Sequence, residues 1–176
     1  MNKDIEEILY SEDQLHLTTG NMAKLIDNDY KDTLPLLVGI LNGVVPFMVS
    51  LVNQITIPMN MDFIKVKSYS GVHSTGNVQI IGYVPDVKGR DVIICDDILD
   101  TGRTLIELKN QFLSLGAKSV KVAVLLNKVG TRVVDIEADY KGYDVPNKFV
   151  VGFGLDYNEL YRNLPYIGVL KEEIYK

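Results

Sequence analysis

The sequence predicts an α/β fold with a mostly parallel sheet. Short unbroken apolar runs, LLVGIL at 36–41, DVIIC at 91–95 and VKVAVLLN at 120–127, suit strands covered on both faces. Segments of helical period lie between such runs, as parallel crossovers require. The chain has 176 residues, 47% apolar and 23% charged, which is the size and composition of one globular domain over 1–176.

Residues 11–30 open with Ser11 and Gln14 in capping-box spacing, and Tyr10 and Leu15 are placed for a hydrophobic staple. Leu15, Met22, Leu25 and Ile26 then share the expected buried face. After the 36–41 strand, Asn42-Gly43 marks a turn, and Pro46 suits the first turn of a helix through FMVSLVNQI. Residues 61–68 and 78–84 read as the two strands of a hairpin, joined by the Gly, Ser and Thr-rich loop 69–77. The strand 91–95 leads to a helix at 103–116, with Leu105, Leu108, Phe112 and Leu115 on one face and Gly116 as its C-terminal stop. KFVVGFGL (148–155) and YIGVL (166–170) are the last strand candidates.

Eighteen basic against 23 acidic residues leave a net charge of −5, which argues against a nucleic-acid partner. No run is long and apolar enough to span a membrane, and the N-terminus lacks the pattern of a secretory signal. Cys95 is the single cysteine, so no internal disulfide forms; a cytoplasmic location is the expectation. Without a histidine near it in sequence, Cys95 reads as a small buried residue rather than a nucleophile. His16 and His73 are too far apart for a His-based zinc site.

The chemistry concentrates in VIICDDILDTGRTL, 92–105. Two aspartates, Asp96 and Asp97, close an apolar strand, and Asp100-Thr101-Gly102-Arg103-Thr104 runs into a helix. Ligands of open α/β sheets bind at the carboxyl ends of strands, and a helix N-terminus offers unpaired N–H groups to an anion. Gly102 clears an approach, and Thr101 and Thr104 add hydroxyl donors. The aspartates repel phosphate but can hold sugar hydroxyls or Mg²⁺. Together these pieces describe a site for a sugar 5′-phosphate. Helix caps alone explain one aspartate and one threonine, not the whole run.

This segment resembles the phosphoribosyl-pyrophosphate motif of the type I phosphoribosyltransferases. SYSGVHSTGNVQI (68–80) and PNKFVVGFGLDYNELYRNLPYIGVL (146–170) are similar to the lid and C-terminal run of the hypoxanthine-guanine branch of that family. The resemblance is collinear over roughly 36–170. It implies a parallel sheet flanked by helices, a flexible lid hairpin with its loop at 69–77, and a small hood from the N- and C-terminal segments. The implied reaction is purine salvage: the phosphoribosyl group passes to N9 of hypoxanthine or guanine, giving IMP or GMP and pyrophosphate.

The resemblance also implies roles. Asp96 and Asp97 face the ribose and Mg²⁺; the family often has Glu before Asp, so Asp96 is one methylene short. Asp100 is the catalytic base near purine N7, and a carboxylate needs help from geometry for that task. Asp100 to Thr104 cradle the 5′-phosphate; the other reading of Arg103 is a solvent-facing residue at the helix start. Lys128 reads the 6-oxygen, because an ammonium donates and cannot accept from a 6-amino group. Phe149 stacks on the base opposite Ile98, and the Val150 and Asp156 carbonyls meet the 2-position. The Asp156 carboxylate joins Asp96 and Asp97 as a metal ligand, and Arg162 binds pyrophosphate. Ser68 and Tyr69 open the lid. Asn42 and Gly43 present a backbone, often cis, to pyrophosphate; the family usually has lysine where Asn42 stands. Phosphoribosyl pyrophosphate and a 6-oxopurine are thus the implied small-molecule substrates, with a homodimer or homotetramer as the implied assembly.

Two other readings share this fold. A nucleotide-sensing regulator that binds RNA needs a basic face, which the net charge of −5 disfavours. A xanthine-preferring enzyme differs at a position read by backbone atoms. Taken without the resemblance, Lys128 is an exposed lysine past a strand, Phe149 a core residue, and Asp156 and Arg162 a surface pair.

Overall fold

The computed structural model describes residues 2–68 and 78–176. In chain order the elements are β1 (Ile5–Tyr10), α1 (Glu12–Asp29), β2 (Leu36–Leu41), α2 (Val45–Val52), β3 (Asn60–Ser68), β4 (Val78–Ile81) and β5 (Asp91–Leu99). There follow α3 (Arg103–Ser114), β6 (Ser119–Lys128), β7 (Tyr140–Val145), β8 (Val150–Val151), β9 (Ile167–Leu170) and α4 (Glu172–Tyr175). Among them, β4-β3-β2-β5-β6-β7 form one sheet, parallel throughout except for β4 against β3. A second, antiparallel sheet, β1-β9-β8, joins the two ends of the chain.

The unbroken apolar runs resolve into two faces once paired. Leu37, Ile93, Cys95, Ala123 and Leu125 pack with Leu15, Met22 and Ile26 of α1 and Phe47, Met48 and Leu51 of α2. Val38, Ile40, Val92, Ile94, Val122 and Val124 pack on the other side with Leu105, Leu108 and Phe112 of α3. Strand periodicity is therefore present, but both phases are apolar.

The capping box forms as the spacing predicts, with Gln14 N–H donating to Ser11 Oγ at 3.3 Å and Ser11 N–H to Gln14 Oε1 at 2.9 Å. Leu25 does not join the buried face: it is 56% exposed. At ~100° per residue it falls about 80° from Leu15, on the side away from Thr19 and Ala23, which are buried. Leu115 is exposed too, because it is the C-cap of α3, where Gly116 (φ 90°) turns the chain away. Ala117 N–H to the Phe112 carbonyl (3.1 Å) and Gly116 N–H to the Leu113 carbonyl (3.0 Å) complete a Schellman ending.

Four strand expectations change. The strand 91–95 continues to Leu99, paired with β6 as far as Leu99 opposite Asn127, so the two aspartates lie inside a strand. Lys128 is the last residue of β6, not the residue after it. KFVVGFGL holds only the two-residue β8, because Gly152, Phe153 and Gly154 all take positive φ and fold into turns. The second hairpin strand ends at Ile81. The Ser68–Tyr69 lid reading meets the structure at β3, which ends at Ser68; Tyr69 and the loop 69–77 lie outside the described residues.

Candidate active site

From β2 the chain passes through α2 to β3 on one side, and from β5 through α3 to β6 on the other. Adjacent β2 and β5 are thus the point where the strand order reverses, and a crevice opens beyond their carboxyl ends. Three segments meet there: the 41–44 turn, the end of β5 with the turn into α3 (96–104), and the 152–162 loop.

Leu41 and Asn42 are joined by a cis peptide. Asn42 is exposed and Gly43 buried. A methyl group at Gly43 would fall on the Asp97 carboxylate, and one at Gly154 would fall on the Gly43 carbonyl. Gly154 is required by its approach to backbone and by its φ of 103°, whereas a side chain at Gly43 would displace the Asp97 carboxylate. Arg162 secures the third loop: Nη1 donates to the Gly154 carbonyl at 2.8 Å, and Nη2 lies 2.9 Å from the Asp156 carboxylate. Asp156 also accepts from the Glu159 N–H at 2.9 Å. Asn158, Glu159 and Tyr161 adopt positive φ between 51° and 73°, a strained run of the kind that collects at binding loops.

Asp96 and Asp97 are half-buried at this junction. Burial, and then the Asp97 charge, push the Asp96 carboxyl well above the usual carboxylate range. Burial raises Asp97 as well, opposed by its hydrogen bonding with Asp96 and by the nearby Arg162 charge. Asp96 Oδ1 accepts the Asp97 N–H at 3.0 Å. Burial likewise pushes the Cys95 thiol up, which leaves it a core residue and not a nucleophile.

The next loop encloses a cavity of about 90 Å³ lined by Asp96, Ile98, Leu99, Asp100, Thr101, Gly102, Thr104 and Leu105. Ile106 N–H to the Gly102 carbonyl, 3.0 Å, begins the ladder of α3. The N–H groups of Arg103, Thr104 and Leu105 therefore precede it, at the positive end of the helix. Arg103 is exposed and does not line the cavity. Gly102 is needed for a different reason than an open approach: its φ is 83°, and a Cβ there would strike Ile136 and Val134.

Lys128 Nζ stands 4.0 Å from the Asp100 carboxylate, with the lysine side chain 15% and the aspartate 48% exposed. Ile98 is half-buried against the α1–α2 core. Val150 is buried in the second sheet. Phe149, just before β8, is stacked on Tyr175 (4.8 Å between ring centres, 22° between planes) and forms a T-shaped pair with Tyr157 at 5.5 Å. The structure thus brings Lys128 to Asp100, and Asp97 to Gly43, Gly154 and Arg162. Phe149 sits on the other sheet, between aromatic partners from the C-terminal segments.

Arg132 was not singled out by the sequence, yet it bonds backbone carbonyls at the ends of both β5 and β6. An arginine in a polar loop carries no local signature; only its place between two strand ends does.

The donor set fits a hard divalent cation. Adjacent carboxylates, half-buried and mutually repelling, gain from such a charge, and oxygen is the ligand Mg²⁺ prefers. Among the described residues no three acidic, histidine or cysteine side chains form one ligand cluster. That suits an ion held by one or two carboxylates and substrate oxygens rather than by a protein cage. No helix among them is long and apolar enough to cross a membrane.

Residues 4–158 match the phosphoribosyl transferase domain family. The chain is 52% identical to a hypoxanthine-guanine phosphoribosyltransferase of Streptococcus thermophilus, over 99% of this chain and 98% of that one. It is 51% identical, over the same shares, to the protein of that name from Streptococcus agalactiae. Its fold is similar to the crystal structure of a hypoxanthine phosphoribosyltransferase from Staphylococcus aureus: TM-score 0.96, 42% identity, 100% of this chain and 97% of that one.

Proposed function

Since the chain belongs to the phosphoribosyl transferase family, we propose that it is a purine-salvage enzyme acting on hypoxanthine and guanine. It joins N9 of the base to C1′ of phosphoribosyl pyrophosphate; the C1′–oxygen bond breaks, and pyrophosphate leaves with the bonding pair. The observation that carries this reading is the full-length likeness, 52% identity over 99% of the chain, to an enzyme of that name.

The chain's own residues supply positions and charge. The 100–104 loop and the first N–H groups of α3 receive the 5′-phosphate. Asp96 and Asp97 orient the ribose hydroxyls. Lys128 donates to the 6-oxygen, and Asp100 beside it takes a hydrogen bond, and then the proton, from purine N7. Phe149 and Ile98 hold the two faces of the base, with the Val150 and Asp156 carbonyls at its 2-position. Arg162, Asn42 and Gly43 face the pyrophosphate. One or two carboxylates at a time, from Asp96 and Asp97 or from Asp156, would hold Mg²⁺ together with substrate oxygens, and the ion would supply the charge that neutralises the leaving group.

Pyrophosphate release with hypoxanthine, guanine, xanthine, adenine and uracil in parallel tests this reading. Turnover with hypoxanthine and guanine is expected. Turnover with adenine instead, or with no base, overturns it.

A further inference from the structure

The Arg132 side chain is half-buried between the strand ends that carry the two residues assigned to the purine. Its Nη1 donates to the Leu99 carbonyl at 2.9 Å, to the Asp100 carbonyl, and to the Lys128 carbonyl at 3.4 Å. Its Nη2 donates to Asn127 Oδ1, and its Nε to the Ile136 carbonyl at 3.3 Å. The adjacent Thr131 hydroxyl lies 3.2 Å from both the Asp100 and the Lys128 carbonyls. Val133 N–H donates to the Thr101 carbonyl at 3.1 Å, so the same segment also props the loop that encloses the 90 Å³ cavity.

The sheet cannot set this spacing unaided. Pairing between β5 and β6 ends at Leu99 opposite Asn127, one residue before Asp100 and Lys128. Beyond that point the two chains diverge unless something ties them. A guanidinium suits the task, because its donors are fixed in one plane and reach several acceptors at once. Asn127 extends the tie to β7 through its amide, which donates to Asp144 at 2.5 Å.

We propose that Arg132 is a positioning residue that clamps the ends of β5 and β6 and so holds Asp100 and Lys128 in one frame for the purine. In this role it acts through those two residues, and it does not line the cavity beside them. Its kinetic consequences rest on the reading of the chain as a 6-oxopurine phosphoribosyltransferase; the clamp itself does not.

The test compares wild type, Arg132→Gln and Arg132→Lys in two ways. Amide hydrogen exchange reads protection at 99–104 and 127–131 directly. Steady-state kinetics with hypoxanthine read the consequence, alone and combined with Lys128→Gln. Both variants are expected to lose protection in both segments together, with the rest of the fold unchanged. The kcat/KM for hypoxanthine is expected to fall about 100-fold, the scale of an ångström-sized misplacement. In the Lys128→Gln background the fall is expected to be markedly smaller, because the residues act as a unit.

Unchanged exchange in the two segments overturns the clamp. A uniform rise in exchange across the molecule also overturns it, since that marks an arginine needed only for folding. Wild-type behaviour of Arg132→Lys overturns it as well, because a point charge would then suffice. A wild type that turns over no 6-oxopurine overturns the functional reading, while the exchange data still decide the clamp.

Discussion

Lys128 and Asp100 meet at 4.0 Å although Lys128 ends β6, Asp100 follows the end of β5, and the whole of α3 lies between them in sequence. At that distance the ammonium is drawn to the carboxylate without being consumed by a short hydrogen bond. At 4.0 Å, with the aspartate half exposed to water, a pair of this kind contributes only about 0–1 kcal/mol to stability. In the proposed reading, this side-by-side donor and acceptor would complement the 6-oxygen and N7 edge of a purine.

Lys128→Gln is expected to relax the preference for hypoxanthine over adenine, because an amide donates or accepts. A charge-assisted bond is worth ~1.5–3 kcal/mol, so the ratio of the two kcat/KM values should fall on the order of 10–150-fold. An unchanged ratio removes Lys128 from base recognition.

Asp100→Asn keeps the shape of the loop and removes the proton acceptor. Its kcat is expected to fall roughly 10²–10⁴-fold, with little change in the KM for phosphoribosyl pyrophosphate. A loss confined to KM would make Asp100 a binding residue.

Gly154→Ala places a methyl group on the Gly43 carbonyl and holds it at a φ of 103°. Both effects open the gap between the 41–44 and 152–162 loops, so Tm and pyrophosphate affinity should fall together. The φ alone costs on the order of 1–3 kcal/mol. Isothermal titration with pyrophosphate and a thermal melt check this; a variant with wild-type affinity would show that the loops need not touch.

Asp29 lies under Tyr140, whose hydroxyl donates to it at 2.6 Å, and Lys121 Nζ lies 2.9 Å away. The Tyr140 hydrogen bond, and then that of Lys121, hold the Asp29 carboxyl below its usual range. A lowered folded-state value means the stabilisation is present above the unfolded value of ~3.9 and disappears as pH falls through the folded one. Asp29→Asn should therefore lower Tm at pH 7, and the difference from wild type should close at pH ~2. Lys121 is raised, chiefly by Asp29, so its share is present below ~10.4 and fades as pH rises beyond that. A Tm difference that does not depend on pH would assign the effect to packing.

Some elements announced themselves and others did not. Ser11 and Gln14 capped α1, and Gly116 ended α3, because such signals act within a few residues. β1 (IEEILY) and β7 (YKGYDV) were not legible. Both are flanking strands with exposed, charged residues and no clean alternation, and they are strands because β9 and β6 offer them partners. KFVVGFGL misled in the other direction: its apolar content serves a hydrophobic cluster, while positive φ at Gly152, Phe153 and Gly154 bends it out of strand geometry.

The amino-acid sequence alone carries the α/β alternation and the contiguous segment 96–104, whose capping and turn signals are local. It also marked Lys128, Phe149 and Arg162 through family likeness, without saying what each would touch. That Gly43 and Gly154 meet beside Asp97, that Lys128 faces Asp100, and that Arg132 ties two strand ends together emerges once the chain is folded. Capping, turns and apolar period depend on neighbours along the chain. Close approach and ion pairing between loops depend on sheet order, which any one segment leaves undetermined.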